Sequence, residues 1–149
     1  MSTFTQLYIH IVFRVKNPQN VLPKEPRTKV YKYMTGIIKN LGHNPIIING
    51  MPDHCHILVG LKPDKTIADL VKEVKRSSTN YVNENKLIYG KFSWQEGYGA
   101  FSYSRSQLDT LINYIKNQET HHKKKTFRDE YIEILDKFGV EYDLKWIDV

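Results

Sequence analysis

From residue 5 the chain alternates. Thr5, Leu7, Ile9, Ile11 and Phe13 fall on one side, and Gln6, Tyr8, His10, Val12 and Arg14 on the other. A period of two belongs to a strand with one strongly apolar face, so a first strand is predicted here. Residues 17–26 hold Pro18, Pro23 and Pro26 and read as a loop. From Arg27 the apolar positions take helical spacing, through Val30, Tyr33, Met34, Ile37, Ile38 and Leu41, and Gly42 supplies a stop. Ile46-Ile47-Ile48 and His56-Ile57-Leu58-Val59 are short strand-like runs. They flank Asn49-Gly50-Met51-Pro52-Asp53, a turn-rich connector suited to a hairpin.

Thr66 with Asp69 can cap a second helix, whose apolar stripe is Ile67, Leu70, Val71, Val74 and Tyr81. Residues 91–103 carry Trp94, Tyr98, Phe101 and Tyr103 with two glycines and read as a loop followed by an edge strand. Ser104 and Gln107 form a candidate capping box ahead of a helix bearing Leu108, Leu111, Ile112 and Ile115. A last helix is patterned by Phe127, Tyr131, Ile134, Leu135 and Phe138 and stopped by Gly139. This order predicts an α+β fold: an antiparallel sheet with helices packed against one side, ferredoxin-like in outline. With no repeat, low-complexity tract or linker, residues 1–149 form one expected domain.

Composition narrows the function. Lys and Arg number 22 against 16 Asp and Glu, giving a net charge of +6, which favours polyanionic partners without naming one. Ten tyrosines, six phenylalanines and two tryptophans offer stacking platforms for unpaired bases, although most are expected in the core. One cysteine excludes an internal disulfide and fits a reducing compartment. No stretch of about 18 apolar residues occurs, so no membrane association is expected and the protein is read as cytoplasmic.

Two short motifs carry chemistry. In Asp53-His54-Cys55-His56, residues two apart on a strand share a face, so His54 and His56 can address one ion while Cys55 turns away. In Asn113-Tyr114-Ile115-Lys116-Asn117-Gln118, residues four apart on a helix are neighbours, so Tyr114 sits beside the amide of Gln118. The first motif suggests a metal site. The second offers a nucleophile together with an oxygen ligand. His54, His56 and Gln118 would make an open set of mixed nitrogen and oxygen donors, which fits Mg2+ or Mn2+ better than a closed zinc site.

In these residues the chain resembles the single-tyrosine HUH transposases of small insertion sequences, the IS200-like enzymes whose relatives include the REP-associated tyrosine transposases. Residues 49–53, the histidine pair, Trp94-Gln95-Glu96-Gly97-Tyr98-Gly99 and residues 114–118 fall in the family's order. The family motif is His, hydrophobic, His; Cys55 departs in letter but behaves as a small buried hydrophobe. The resemblance implies a single-strand DNA endonuclease and strand transferase using Mg2+ or Mn2+. Attack by Tyr114 would give a 5'-phosphotyrosine and free a 3'-hydroxyl, conserving the phosphodiester's free energy without ATP. It also implies hairpin-bearing single-stranded DNA as substrate, and a homodimer in which the tyrosine helix can complete the partner's histidine site.

Arg14, Lys16, Lys72, Lys75 and Arg76 are candidate phosphate contacts, each with an ordinary solvated-face alternative. Trp94 is a packing residue with a candidate stacking role, and His10 is structural or approaches the metal face from the neighbouring strand. His121 and His122 read as a solvated helix end. Three rival readings stay open: a domesticated relative, a non-catalytic single-stranded nucleic-acid-binding protein on the same fold, and a zinc hydrolase that uses another histidine and spares Tyr114.

Overall fold

The computed structural model describes residues 2–147. Its frame is β1 (Tyr8–Arg14), α1 (Lys24–Asn40), β2 (Asn44–Met51), β3 (His54–Gly60), α2 (Ile67–Glu84) and β4 (Gly99–Tyr103). The strands lie in the order β2-β3-β1-β4, with every neighbouring pair antiparallel. This βαββαβ connection is the ferredoxin-like arrangement. A 3-10 turn at Arg105–Gln107 then leads into α3 (Leu108–Lys116), α4 (Gln118–His121), α5 (Phe127–Lys137) and α6 (Leu144–Ile147).

Strand alternation divides the core between the two faces of the sheet. Ile9, Ile11 and Phe13 of β1 and Cys55, Ile57 and Val59 of β3 pack with Val30, Met34 and Ile38 of α1 and Leu70, Val71 and Val74 of α2. On the opposite face, Leu58 meets Leu111 and Ile115 of α3. Val12 and Phe101 meet Phe127, Ile134 and Leu135 of α5. Helices therefore cover both faces, which corrects the one-sided packing expected from the pattern. The second layer covers the face that holds His10, His54 and His56.

Several boundaries follow from local chemistry. Helix α1 starts at Lys24, inside the stretch read as a loop, because Pro26 lies in the first turn, where a backbone N–H has no intrahelical acceptor anyway. Gly42 ends it with a φ of 90°, a value side chains disfavour. Thr66 accepts the Asp69 amide at 3.0 Å, and Ser104 with Gln107 forms the expected capping box. The hairpin between β2 and β3 is tighter than the connector suggested. Asn49 and Gly50 belong to β2, and Met51 pairs directly with His54.

Candidate active site

The histidines open β3 at the end of the sheet nearest α4 and α5. His56 lies opposite Val12 of β1 and Asn49 of β2, so both rings rise from the sheet on the face away from Cys55. Both are buried, as is Gln118. Burial pushes the Cys55 thiol up, consistent with a packing role in the other core.

Tyr114 sits on the last full turn of α3. Asn49 holds that turn against the sheet: its Nδ2 donates to the carbonyls of Ile115 at 3.0 Å and Lys116 at 3.2 Å, which the end of α3 leaves unpaired. The helix breaks at Asn117 (φ −98°, ψ 27°), and Gln118 begins α4. The uninterrupted helix expected across 114–118 is thus bent, and the bend turns Gln118 inward. Its Oε1 lies 3.0 Å from His54 Nε2.

The residue at the centre is one the sequence reading did not select. Glu130 of α5 sits on the buried stripe between Phe127 and Ile134, and its Oε1 lies 3.0 Å from His56 Nε2 and 3.3 Å from His54 Nε2. Its Oε2 accepts the Tyr114 hydroxyl and, at 3.0 Å, the Gln118 amide N–H. His122, read as part of a solvated helix end, instead brings Nε2 to 3.2 Å from Glu130 Oε1 with its side chain almost fully covered. His10 stands behind His56, Nε2 to Nδ1 at 2.8 Å. The available signal was an acidic residue in register with an apolar stripe, a position at which burial demands a partner.

The charges are divided among these groups. Burial alone would raise the Glu130 carboxyl, yet hydrogen bonds from His54, His56 and Tyr114 hold it well below the usual carboxylate range. Burial works against a charge on His54 as well, but Asp53 at 2.7 Å and Glu130 outweigh it and bring the ring to about 9. His56, buried more deeply, is pushed down and stays neutral. Burial and the facing Glu130 raise the Tyr114 phenol far above its ordinary value.

The candidate phosphate contacts separate into different environments. Lys16 and Lys72 are exposed. Arg76 pairs with Glu73 at 2.5 Å. Lys75 is half-buried; its Nζ donates to the carbonyls of Gln95 at 2.7 Å and Gly97 at 2.6 Å, and burial lowers it to about 8. It clamps the loop leading to β4. Trp94 is buried between Phe13 and Phe92 and donates its indole N–H to Ser78 Oγ at 2.9 Å, which removes it from the candidate stacking residues. Arg14 lies partly exposed at the end of β1, paired in register with His54. Among the described residues no helix is long and apolar enough to cross a membrane.

A ferredoxin-like sheet that gathers a histidine pair, a tyrosine and an amide on one face has the layout of a DNA-processing transposase. Residues 3–118 match the model of the family described as Transposase IS200 like, and the chain belongs to that family. It is 27% identical over 118 residues to the ISDra2 transposase TnpA of Deinococcus radiodurans, an alignment covering 76% of this chain and 84% of that one. Two solved structures share the fold. A Deinococcus radiodurans protein assigned as a transposase superimposes with a TM-score of 0.61 at 24% identity, covering 79% of this chain and 95% of its own. A REP-associated tyrosine transposase bound to a REP hairpin gives 0.58 at 15% identity, covering 82% and 74%.

Proposed function

We propose that this transposase cleaves and rejoins single-stranded DNA through a 5'-phosphotyrosine on Tyr114, beside a divalent cation held by His54, His56 and Gln118. The supporting observation is that the Tyr114 hydroxyl and the His56 ring contact the two oxygens of one carboxylate, so nucleophile and ligand set share one small volume. The donors fit a cation: two imidazoles and an amide oxygen converge, and the ring of His54 is oriented from behind by Asp53. When bound, Mg2+ or Mn2+ would relieve the phosphate's negative charge as a Lewis acid.

In the reaction, Tyr114 Oη bonds to phosphorus as the bond to the 3'-oxygen breaks; the Glu130 carboxylate stands ready to accept the phenolic proton, and the net balance is one proton on the released 3'-hydroxyl. Joining reverses the step, with a 3'-hydroxyl as nucleophile. A hairpin-bearing single strand is the natural substrate by analogy with the relative bound to a REP hairpin. One tyrosine holds one cleaved end, so excision of an element calls for two chains acting as a homodimer. Tyr114 reaches the histidines of its own chain, which favours sites completed in cis.

The test is adduct formation. Protein, divalent ion and a labelled hairpin-bearing single strand from the flanks of its own gene should give a denaturation-resistant complex that retains label placed 3' of the cut. Tyr114→Phe should bind DNA and form none. Mapping of the DNA to another residue, or cleavage by the Phe variant, would overturn the reading.

A further inference from the structure

Glu130 and His122 lie beyond residue 118, where the match to the family ends, yet both reach the centre of the site. The Nε2 atoms of His54, His56 and His122 stand 3.3, 3.0 and 3.2 Å from one atom, Glu130 Oε1. Each ring is held from behind through Nδ1: His54 by Asp53 Oδ1 at 2.7 Å, His56 by His10 Nε2 at 2.8 Å, and His122 by the Lys125 carbonyl at 2.8 Å. A carboxylate and a carbonyl only accept, so Nδ1 of His54 and of His122 carry hydrogens. The three Nε2 atoms therefore point at one spot, where a cation could take their lone pairs once any Nε2 hydrogen has left. Oriented Nδ1–H groups are the usual support of metal-binding imidazoles.

We propose that His122 and Glu130 are ligands of the same divalent cation as His54 and His56, making this a site for a first-row transition ion rather than for Mg2+. The proposal rests on the reading that the histidine pair holds the ion. The donor atoms of His54, His122 and Glu130 all lie within 4.8 Å of one another. Three imidazoles with one carboxylate and the Gln118 amide oxygen form a nitrogen-rich set that suits Mn2+ and its heavier neighbours, whereas Mg2+ prefers oxygen donors and keeps much of its water.

Glu130 is better placed as a ligand than as a plug that must leave. Its second oxygen is pinned by Tyr114 and Gln118, and α5 is anchored by Phe127, Ile134 and Leu135. Swinging the side chain away would leave the buried Gln118 amide and the half-buried Tyr114 hydroxyl without their acceptor.

The experiment is titration of Mn2+ into the purified full chain without DNA, with free ion followed by its electron paramagnetic resonance signal. Glu130→Gln and His122→Ala should each weaken binding by about tenfold or more. Glu141→Gln, on an exposed residue, should leave it unchanged. Circular dichroism melts check folding, and His122→Ala carries the test if Glu130→Gln does not fold. Binding lost in His56→Ala but untouched in both Glu130→Gln and His122→Ala would overturn this proposal and leave the proposed function standing. Tighter binding by Glu130→Gln would overturn it in favour of a plug, and displacement of Mn2+ by an equal concentration of Mg2+ would overturn the assigned class of ion. Adduct formation by Tyr114 is a separate measurement, so the two readings can fail independently.

Discussion

The Tyr114 hydroxyl donates to the Glu130 carboxylate, joining the end of α3 to the buried face of α5. Burial and this contact together hold the phenol in its protonated form, because a phenolate there would be poorly solvated and would face a carboxylate. Spectrophotometric titration of the metal-free protein to about pH 11, past the ordinary tyrosine value of about 10, should therefore give equal tyrosinate absorbance for wild type and Tyr114→Phe. A deficit of one tyrosine in the variant would show that Tyr114 ionises freely and that the contact is not maintained.

Metal affinity should depend on pH through His54. Its ring is protonated below about 9 and must lose that proton to offer Nε2 to a cation. Mn2+ affinity measured by calorimetry should rise about tenfold per unit from pH 7 towards 9 and then level off. Without metal the stability trend is opposite. The folded value exceeds the ordinary 6.5, so the His54 contribution is complete below about 6.5 and is lost as pH rises through about 9. A flat affinity profile would contradict a charged His54.

Tyr114 lies against His56 of its own chain, with ring centroids 5.9 Å apart, as expected of a site completed in cis. Mixing His56→Ala with Tyr114→Phe under conditions of proven subunit exchange should restore no cleavage, since every heterodimer then has one site lacking a ligand and another lacking the nucleophile. Recovery of activity would show that the tyrosine helix crosses to the partner.

Two glycines predict opposite signs. A Cβ on Gly50 would overlap the His54 carbonyl oxygen and stand 2.8 Å from the Tyr31 hydroxyl, so Gly50→Ala should destabilise by about 1–3 kcal/mol and loosen the hairpin that presents His54. Gly36 in α1 has nothing within 4 Å of an added Cβ, and Gly36→Ala should stabilise by about 0.5–1 kcal/mol. Denaturant melts of both variants decide.

Exposed cations should set salt dependence. Lys16→Ala and Lys72→Ala should weaken single-strand binding and lower the salt slope by about 0.7 per lost phosphate contact, whereas Arg76→Ala, already paired with Glu73, should change it less. Fluorescence anisotropy across a salt series distinguishes them.

The strands, the helices and the gathering of His54, His56, Tyr114 and Gln118 in one place were legible because period and spacing are local properties. Alternation gave β1, helical stripes gave α1 to α3 and α5, and the two motifs lay in short windows. Trp94 could not be placed from its type, since a tryptophan can pack or stack; the buried Ser78 hydroxyl decides it. The start of α1 was hidden by prolines that a first helical turn tolerates. Glu130 and His122 were missed for another reason. They join the site only after α5 folds back across the sheet, and a tertiary contact between residues 56 and 130 has no local period. Short α6 carries too few residues to show one.

The spacing of that contact also concerns synthesis. A chain emerging from the ribosome presents β1, β3 and the Tyr114 helix before α5 exists to receive them, and domains fold as their segments appear. With Glu130 supplied last, the nucleophile and the imidazoles acquire their common partner only after residue 130 has been translated. The site would thus stay unassembled until α5 has emerged and folded back across the sheet.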